Sequence, residues 1–138
     1  MSTWFDPVQR ICRGDSPLPP VARLIGFTLT SIAPGYACIA FAAGAQHANP
    51  MGTLHGGILC DSADAAMGMA YASTLGEGET CTTLELTSNV LKPVWQATLQ
   101  AIGRVLTRSH GGLGRMRHSQ RQRGISCPRH QHVYDAAR

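Results

Sequence analysis

The chain has 138 residues, 43% of them apolar and 14% charged, the size of one domain with a substantial core and little polar surface to spare, so part of its surface is expected to lie against another subunit. Its net charge of +4 is local: residues 1–108 carry six Lys/Arg against seven Asp/Glu, and residues 109–138 carry six Arg against one Asp, which excludes a basic nucleic-acid face spread over the whole domain. No apolar run reaches the length of a bilayer span and no secretory leader is visible, and five widely spaced cysteines, an odd number, fit reduced thiols in a cytoplasmic protein.

The elements follow in chain order. Residues 1–22 form an N-terminal helix and loop, with the helix around Phe5–Cys12 and a loop where Pro17, Pro19 and Pro20 block helix. Residues 23–33 read as a strand, with Phe27 and Leu29 alternating against Thr28 and Thr30. Pro34-Gly35 is a turn, and residues 36–42 return as a second strand. Residues 44–55 are polar and rich in turn formers. Ile58, Leu59, Ala63, Ala66, Met67, Ala70 and Tyr71 then recur at helical spacing, which predicts a helix from about Gly56 to Leu75. Its far face is Ala, Gly and Met, the composition of a buried helix. Leu84, Leu86, Ser88 and Val90 alternate in a strand over 80–91. Leu99, Ala101, Gly103 and Val105 mark one side of another over 94–107. A sheet wrapped around one central helix satisfies this order.

The chemistry concentrates between His47 and Asp64. His55-Gly56-Gly57 stands where loop becomes helix. The first amides of a helix lack internal partners and sit at the positive end of the dipole. Glycine lets a ligand approach them, so they can polarise a carbonyl oxygen. Asp61 lies close enough to the helix start to be a dipole complement. Asp64 lies about two turns in, among Ala and Met, where a carboxylate needs a task or a partner. It can serve as general base or nucleophile. His47 and Asn49 can orient a carbonyl or a water, or hold the loop. Each feature alone has a structural reading, as helix cap, turn residue or buried pairing. Their joint spacing is what points to a site.

That spacing, Asn49-x-x-Gly52-Thr53-Leu54-His55-Gly56-Gly57 with Asp64 nine residues after the histidine, closely resembles the phenylacetate-degradation (PaaI-like) type of hotdog-fold acyl-CoA thioesterase. The resemblance covers about residues 20–107. It implies an α+β hotdog domain over 23–108, an antiparallel sheet around one central buried helix. It also implies hydrolysis of an aromatic, phenylacetyl-type, or medium-chain acyl-CoA to free acid and coenzyme A. The Gly56 amide would polarise the thioester carbonyl. Asn49 and His55 would hold the loop and position substrate, with Gly57 and His47 beside them. Asp64 would be general base or nucleophile, and Thr83 would orient water. Lys92 and Arg104 are candidates for the coenzyme A nucleotide. No metal or cofactor is implied. The helix-start amide and the carboxylate would come from different subunits of a homodimer, which often pairs into a homotetramer.

Residues 109–138 depart from the family. A hotdog sheet needs two more strands there, and this stretch is arginine-rich, poor in aliphatics and broken by glycines and Pro128. It reads as an atypical, disordered basic tail, and its abrupt change of composition is what a shifted reading frame produces. The strand at 94–107 is then expected to be an exposed edge. Cys127, His130 and His132 lack the fourth ligand of a metal site. No aromatic interleaving makes the arginines a nucleic-acid module. Two other functions fit the same residues: a hotdog acyl-CoA hydratase or dehydratase, and a non-catalytic truncated relative that only binds acyl-CoA.

Overall fold

Alternation of apolar and hydroxyl side chains makes residues 27–43 a hairpin. In this computed structural model, which describes residues 4–108 in full and the backbone of 115–123, β1 (Phe27–Ala33) pairs antiparallel with β2 (Tyr36–Ala43). The register shifts between Leu29 and Ser31, so Thr30 is an extra residue, a bulge whose Oγ1 donates to the Cys38 carbonyl at 3.1 Å. Phe27 and Leu29 are buried and Thr28 exposed, as the alternation predicts, and the bulge then resets the pattern.

Two helices precede the hairpin. The first, α1 (Phe5–Arg13), buries Val8. Pro17 and Pro19 lie in a loop as expected, while the second helix, α2 (Pro20–Ile25), corrects two expectations: Pro20 as a loop residue and the strand start at residue 23. Pro20 occupies the first turn of α2, where its missing N–H costs nothing, so the proline that was read as a helix block opens a helix.

The long helix α3 (Gly56–Ala72) lies across the sheet. Its inward stripe, Leu59, Ala63, Ala66, Met67 and Ala70, packs where Ala37 and Gly103 face each other on adjacent strands. A Cβ on Gly103 would collide with the Ala66 carbonyl and stand 2.7 Å from the Met67 nitrogen. The helix therefore touches the sheet backbone to backbone, and small residues are what allow it. Ser73 pins its far end: Oγ accepts the Gly35 N–H at 2.8 Å and donates to the Ala70 carbonyl at 2.7 Å. The central helix is buried on its sheet side as expected, and in the single chain its other side is open. Gly56, Gly57 and Asp61 are exposed, and Asp64, Ala65, Gly68 and Ala72 are half-buried along the outer face.

The third strand, β3 (Ala97–Thr107), pairs with β2, and β4 (Arg115–Arg123) pairs with β3. The sheet is antiparallel, in the order β1-β2-β3-β4. Leu99, Ala101 and Gly103 are buried on one side of β3, as the alternation predicts. Two further expectations are corrected. Residues 115–123 of the basic stretch form a strand, so β3 is not an edge. Strand pairing is made by backbone groups, which an arginine-rich segment offers as well as an aliphatic one. Residues 80–91 form no strand: their alternation is present, but no strand pairs with them among the described residues. Cys127, His130 and His132 lie outside the described residues.

Candidate active site

The loop between β2 and α3 is braced from within. Asn49 accepts the Met51 and Thr53 amides on Oδ1, at 2.9 and 3.2 Å, and donates from Nδ2 to Thr53 Oγ1 at 2.8 Å. The turn passes through Gly52 at φ +83°, which glycine adopts without strain. Beyond it, the Leu54 amide donates to the Val94 carbonyl at 2.7 Å, tying the loop to the chain entering β3. Asn49 thus shapes the loop, using its side-chain oxygen and one arm of its amide to do so.

His47, a candidate for binding substrate, stands behind the loop. The ring is buried and packs edge-on against Phe41. Nδ1 accepts the Gly44 N–H at 3.0 Å, so the proton sits on Nε2, which donates to the Ile25 carbonyl at 2.8 Å. Both ring nitrogens are engaged, and His47 joins the loop to the end of α2.

His55 is the N-cap of α3. Its Nδ1 accepts the Gly57 N–H at 3.0 Å, the side-chain cap that a helix start calls for. A Cβ on Gly57 would stand 3.0 Å from that nitrogen, so glycine there makes room for the cap. Gly56 is different. A Cβ on it would meet nothing within 4 Å, and among the described residues its N–H has no hydrogen-bond acceptor. The helix thus presents one exposed, unpaired amide at its positive end.

Two turns along α3, Oδ1 of half-buried Asp64 accepts a hydrogen bond from Thr83 Oγ1 at 2.6 Å. Thr83 arrives on the extended segment that follows α3. Two residues earlier on it, Cys81 is near enough to the same carboxylate to feel its charge. Partial desolvation, and secondly the Asp64 charge, hold its thiol above the ordinary range although the residue is exposed overall. Cys81 was not anticipated from sequence. Its spacing of two from Thr83 on an extended backbone was the available signal.

The structure gathers the expected residues into two groups. Asn49, His55, Gly56 and Gly57 share the loop and helix start, while Asp64 and Thr83 meet beside the middle of α3. Lys92, half-buried, stands two residues before Val94 and hence beside the loop. Arg104 is placed elsewhere. It pairs with Tyr36 in the sheet and its guanidinium lies 4.7 Å over the Tyr36 ring. That is the hairpin-turn end, about 24 Å of strand from Ala43, where the loop begins. Among the described residues no group of three His, Cys, Asp or Glu side chains could hold a metal ion. No helix among them is long and apolar enough to cross a membrane.

This fold, a curved antiparallel sheet holding one long helix, is the hotdog fold of PaaI-like proteins. It matches the phenylacetic acid degradation-related protein of Ralstonia eutropha JMP134 with a TM-score of 0.77 over 96% of each chain, at 24% identity. It matches the E. coli PaaI protein of the phenylacetic acid degradation operon with a TM-score of 0.76 at 19% identity, over 96% of this chain and 91% of that one. A thioesterase from Haemophilus influenzae gives 0.73 at 17% identity, over 88% and 81%. By sequence the chain belongs to the family described as a domain of unknown function, DUF4442, whose profile matches residues 16–92, more than half of the chain. No curated protein sequence matches it.

Proposed function

We propose that the protein is an acyl-CoA thioesterase that hydrolyses an aromatic, phenylacetyl-type, or medium-chain acyl-CoA to the free acid and coenzyme A. One observation carries this reading: the helix whose first amide is unpaired and unobstructed also carries, two turns on, a carboxylate held by a hydroxyl. The Gly56 amide stabilises the developing oxyanion on the thioester carbonyl. Asp64 takes a proton from the attacking water, or attacks directly, and Thr83 orients it. Asn49 and His55 keep the loop in the shape that exposes Gly56. Lys92, two residues before the Val94 carbonyl that bonds the loop, is a better candidate for the coenzyme A nucleotide than Arg104. The reaction needs no cofactor beyond the coenzyme A carried by the substrate.

Spacing along the helix supports a site built from two chains. Gly56 and Asp64 are eight residues apart, about 12 Å along the axis, too far to act on one carbonyl. A second copy supplying the other group closes that distance. Exposed apolar side chains beside both groups fit such contact: Met51 on the loop, Leu84 after Thr83, and Trp95 beyond Lys92 are 86%, 75% and 61% exposed in the single chain. A homodimer, or a tetramer of two such dimers, follows.

A hydroxyl partner on Asp64, rather than an imidazole, favours hydrolysis over the hydratase alternative. The unpartnered course of residues 80–91 is what favours the non-catalytic alternative. Release of free thiol from phenylacetyl-CoA and a series of medium-chain acyl-CoAs tests the proposal. Turnover is expected for the wild type and its loss for Asp64→Ala. Mixing Asp64→Ala with Gly56→Pro protein is expected to restore part of it, because one mixed site is intact. Absence of thiol release from every acyl-CoA overturns the reading. Water addition to an enoyl-CoA without thiol release moves it to the hydratase.

A further inference from the structure

The segment carrying Thr83 has few fixed points. From residue 80 to residue 91 it makes no backbone hydrogen bond to the rest of the described chain, and the next is the Val94 carbonyl. Among the described residues, the nearest fixed backbone point before Thr83 is therefore at the start of the segment.

Glu79 stands at that start, and three parts of the fold converge on it. Its carboxylate Oε2 accepts the Gly76 N–H at 2.5 Å, and its own N–H returns to the Gly76 carbonyl at 3.3 Å. This closes a turn through Gly78 at φ +73° just beyond α3. The same oxygen pairs with Arg108 Nη2 at the end of β3. The other arm of Arg108, Nη1, donates to the Thr74 carbonyl at 2.5 Å. From the N-cap of α1, the Trp4 Nε1–H donates to the Glu79 carbonyl at 3.1 Å. Thr83 lies four positions beyond this anchor, about 13 Å of extended chain. A displacement at Glu79 is therefore passed on to the hydroxyl.

We infer that the Glu79–Arg108 pair is the positioning device of the candidate site: it fixes the point from which the chain runs to Thr83 and so holds the Thr83 hydroxyl on Asp64. Neither residue belongs to the groups assigned to the chemistry, and the catalytic consequence rests on the thioesterase reading above. The placement itself does not, so it has its own test.

Cys81 lies between anchor and hydroxyl and reports on Asp64. Its titration is read from the pH dependence of alkylation by iodoacetamide, quantified by peptide mass spectrometry, against the urea-unfolded chain. Arg108→Met is the decisive variant. Losing a cation, with no movement of the segment, can only push the thiol midpoint higher. Losing the anchor lets Cys81 leave Asp64, and the midpoint falls toward that of the unfolded chain. A fall is expected for Arg108→Met and also for Glu79→Gln, which keeps an acceptor for Gly76 and loses the ion pair. An unchanged or raised midpoint in Arg108→Met overturns the proposal, whatever Glu79→Gln shows, because losing the Glu79 charge lowers a nearby thiol midpoint by itself. In thiol release, Thr83→Val is expected to lower kcat about tenfold in the wild type and less than about twofold in Arg108→Met, because coupled residues are not additive. Additive effects also overturn it. A wild type that releases no thiol defeats the thioesterase reading and leaves the Cys81 midpoint to decide this one.

Discussion

Thr83 donates its hydroxyl to Oδ1 of Asp64 over 2.6 Å, across a sequence separation of 19 residues. The contact ties the segment after α3 to the middle of the helix and gives the carboxylate a neutral partner. A charge-assisted bond of this kind orients the acceptor as well as stabilising it. Replacing Asp64 by Asn keeps the size and the hydrogen bond while removing the base. Thiol release should then fall by about 10²- to 10⁴-fold. The melting temperature should change little, because the residue is half-buried at a helix surface.

Gly56→Pro separates backbone chemistry from folding. Gly56 is the first residue of α3, where proline is accommodated, and His55 before it has φ −61° and ψ 129°, a conformation proline tolerates in its predecessor. The helix should form with unchanged circular dichroism. The N–H is gone, so kcat should fall by about 10²- to 10³-fold, as for loss of one oxyanion donor. Gly56→Ala keeps the N–H and meets no atom of its own chain. It should retain the larger share of activity unless the added methyl meets substrate or a second copy.

Gly103→Ala tests the seat of the helix. The new Cβ would meet the α3 backbone at Ala66 and Met67 rather than a side chain that could turn away. Either the helix lifts or the sheet bends. The destabilisation should reach about 3 kcal/mol, the upper end for an overpacked core, and be visible in chemical denaturation.

His47→Ala should lower stability by about 2–4 kcal/mol, since it leaves the Gly44 N–H and the Ile25 carbonyl without their partner and opens a gap beside Phe41. His47→Gln, able to donate and accept, should recover part of that. KM should move less than stability if the ring holds the loop without contacting substrate, and paired denaturation and kinetic measurements read this directly.

Local sequence was enough for those elements whose cause is local. Alternation over Phe27–Ile39 marks the hairpin, because a strand shows its face every second residue whoever its neighbour is. Apolar spacing from Leu59 to Tyr71 marks α3 for the corresponding reason. The run from Asn49 to Gly57, with Asp64 beyond it, names the candidate site because its turn, cap and helix start are contiguous in the chain. Tertiary structure decided the rest. The alternation of Leu84 to Val90 cannot show whether a strand lies beside it, since pairing is made between distant backbones. Proline at position 20 either blocks or opens a helix according to what packs on Ala22 and Ile25. A histidine looks the same in sequence whether it faces substrate, as expected of His47, or spends both nitrogens on Gly44 and Ile25. Arg104 is as basic as Lys92, and only the register of β2 with β3 puts it at the other end of the sheet. The ion pair between Glu79 and Arg108 spans 29 residues, and two charges in a chain become partners only when the fold brings their backbones together.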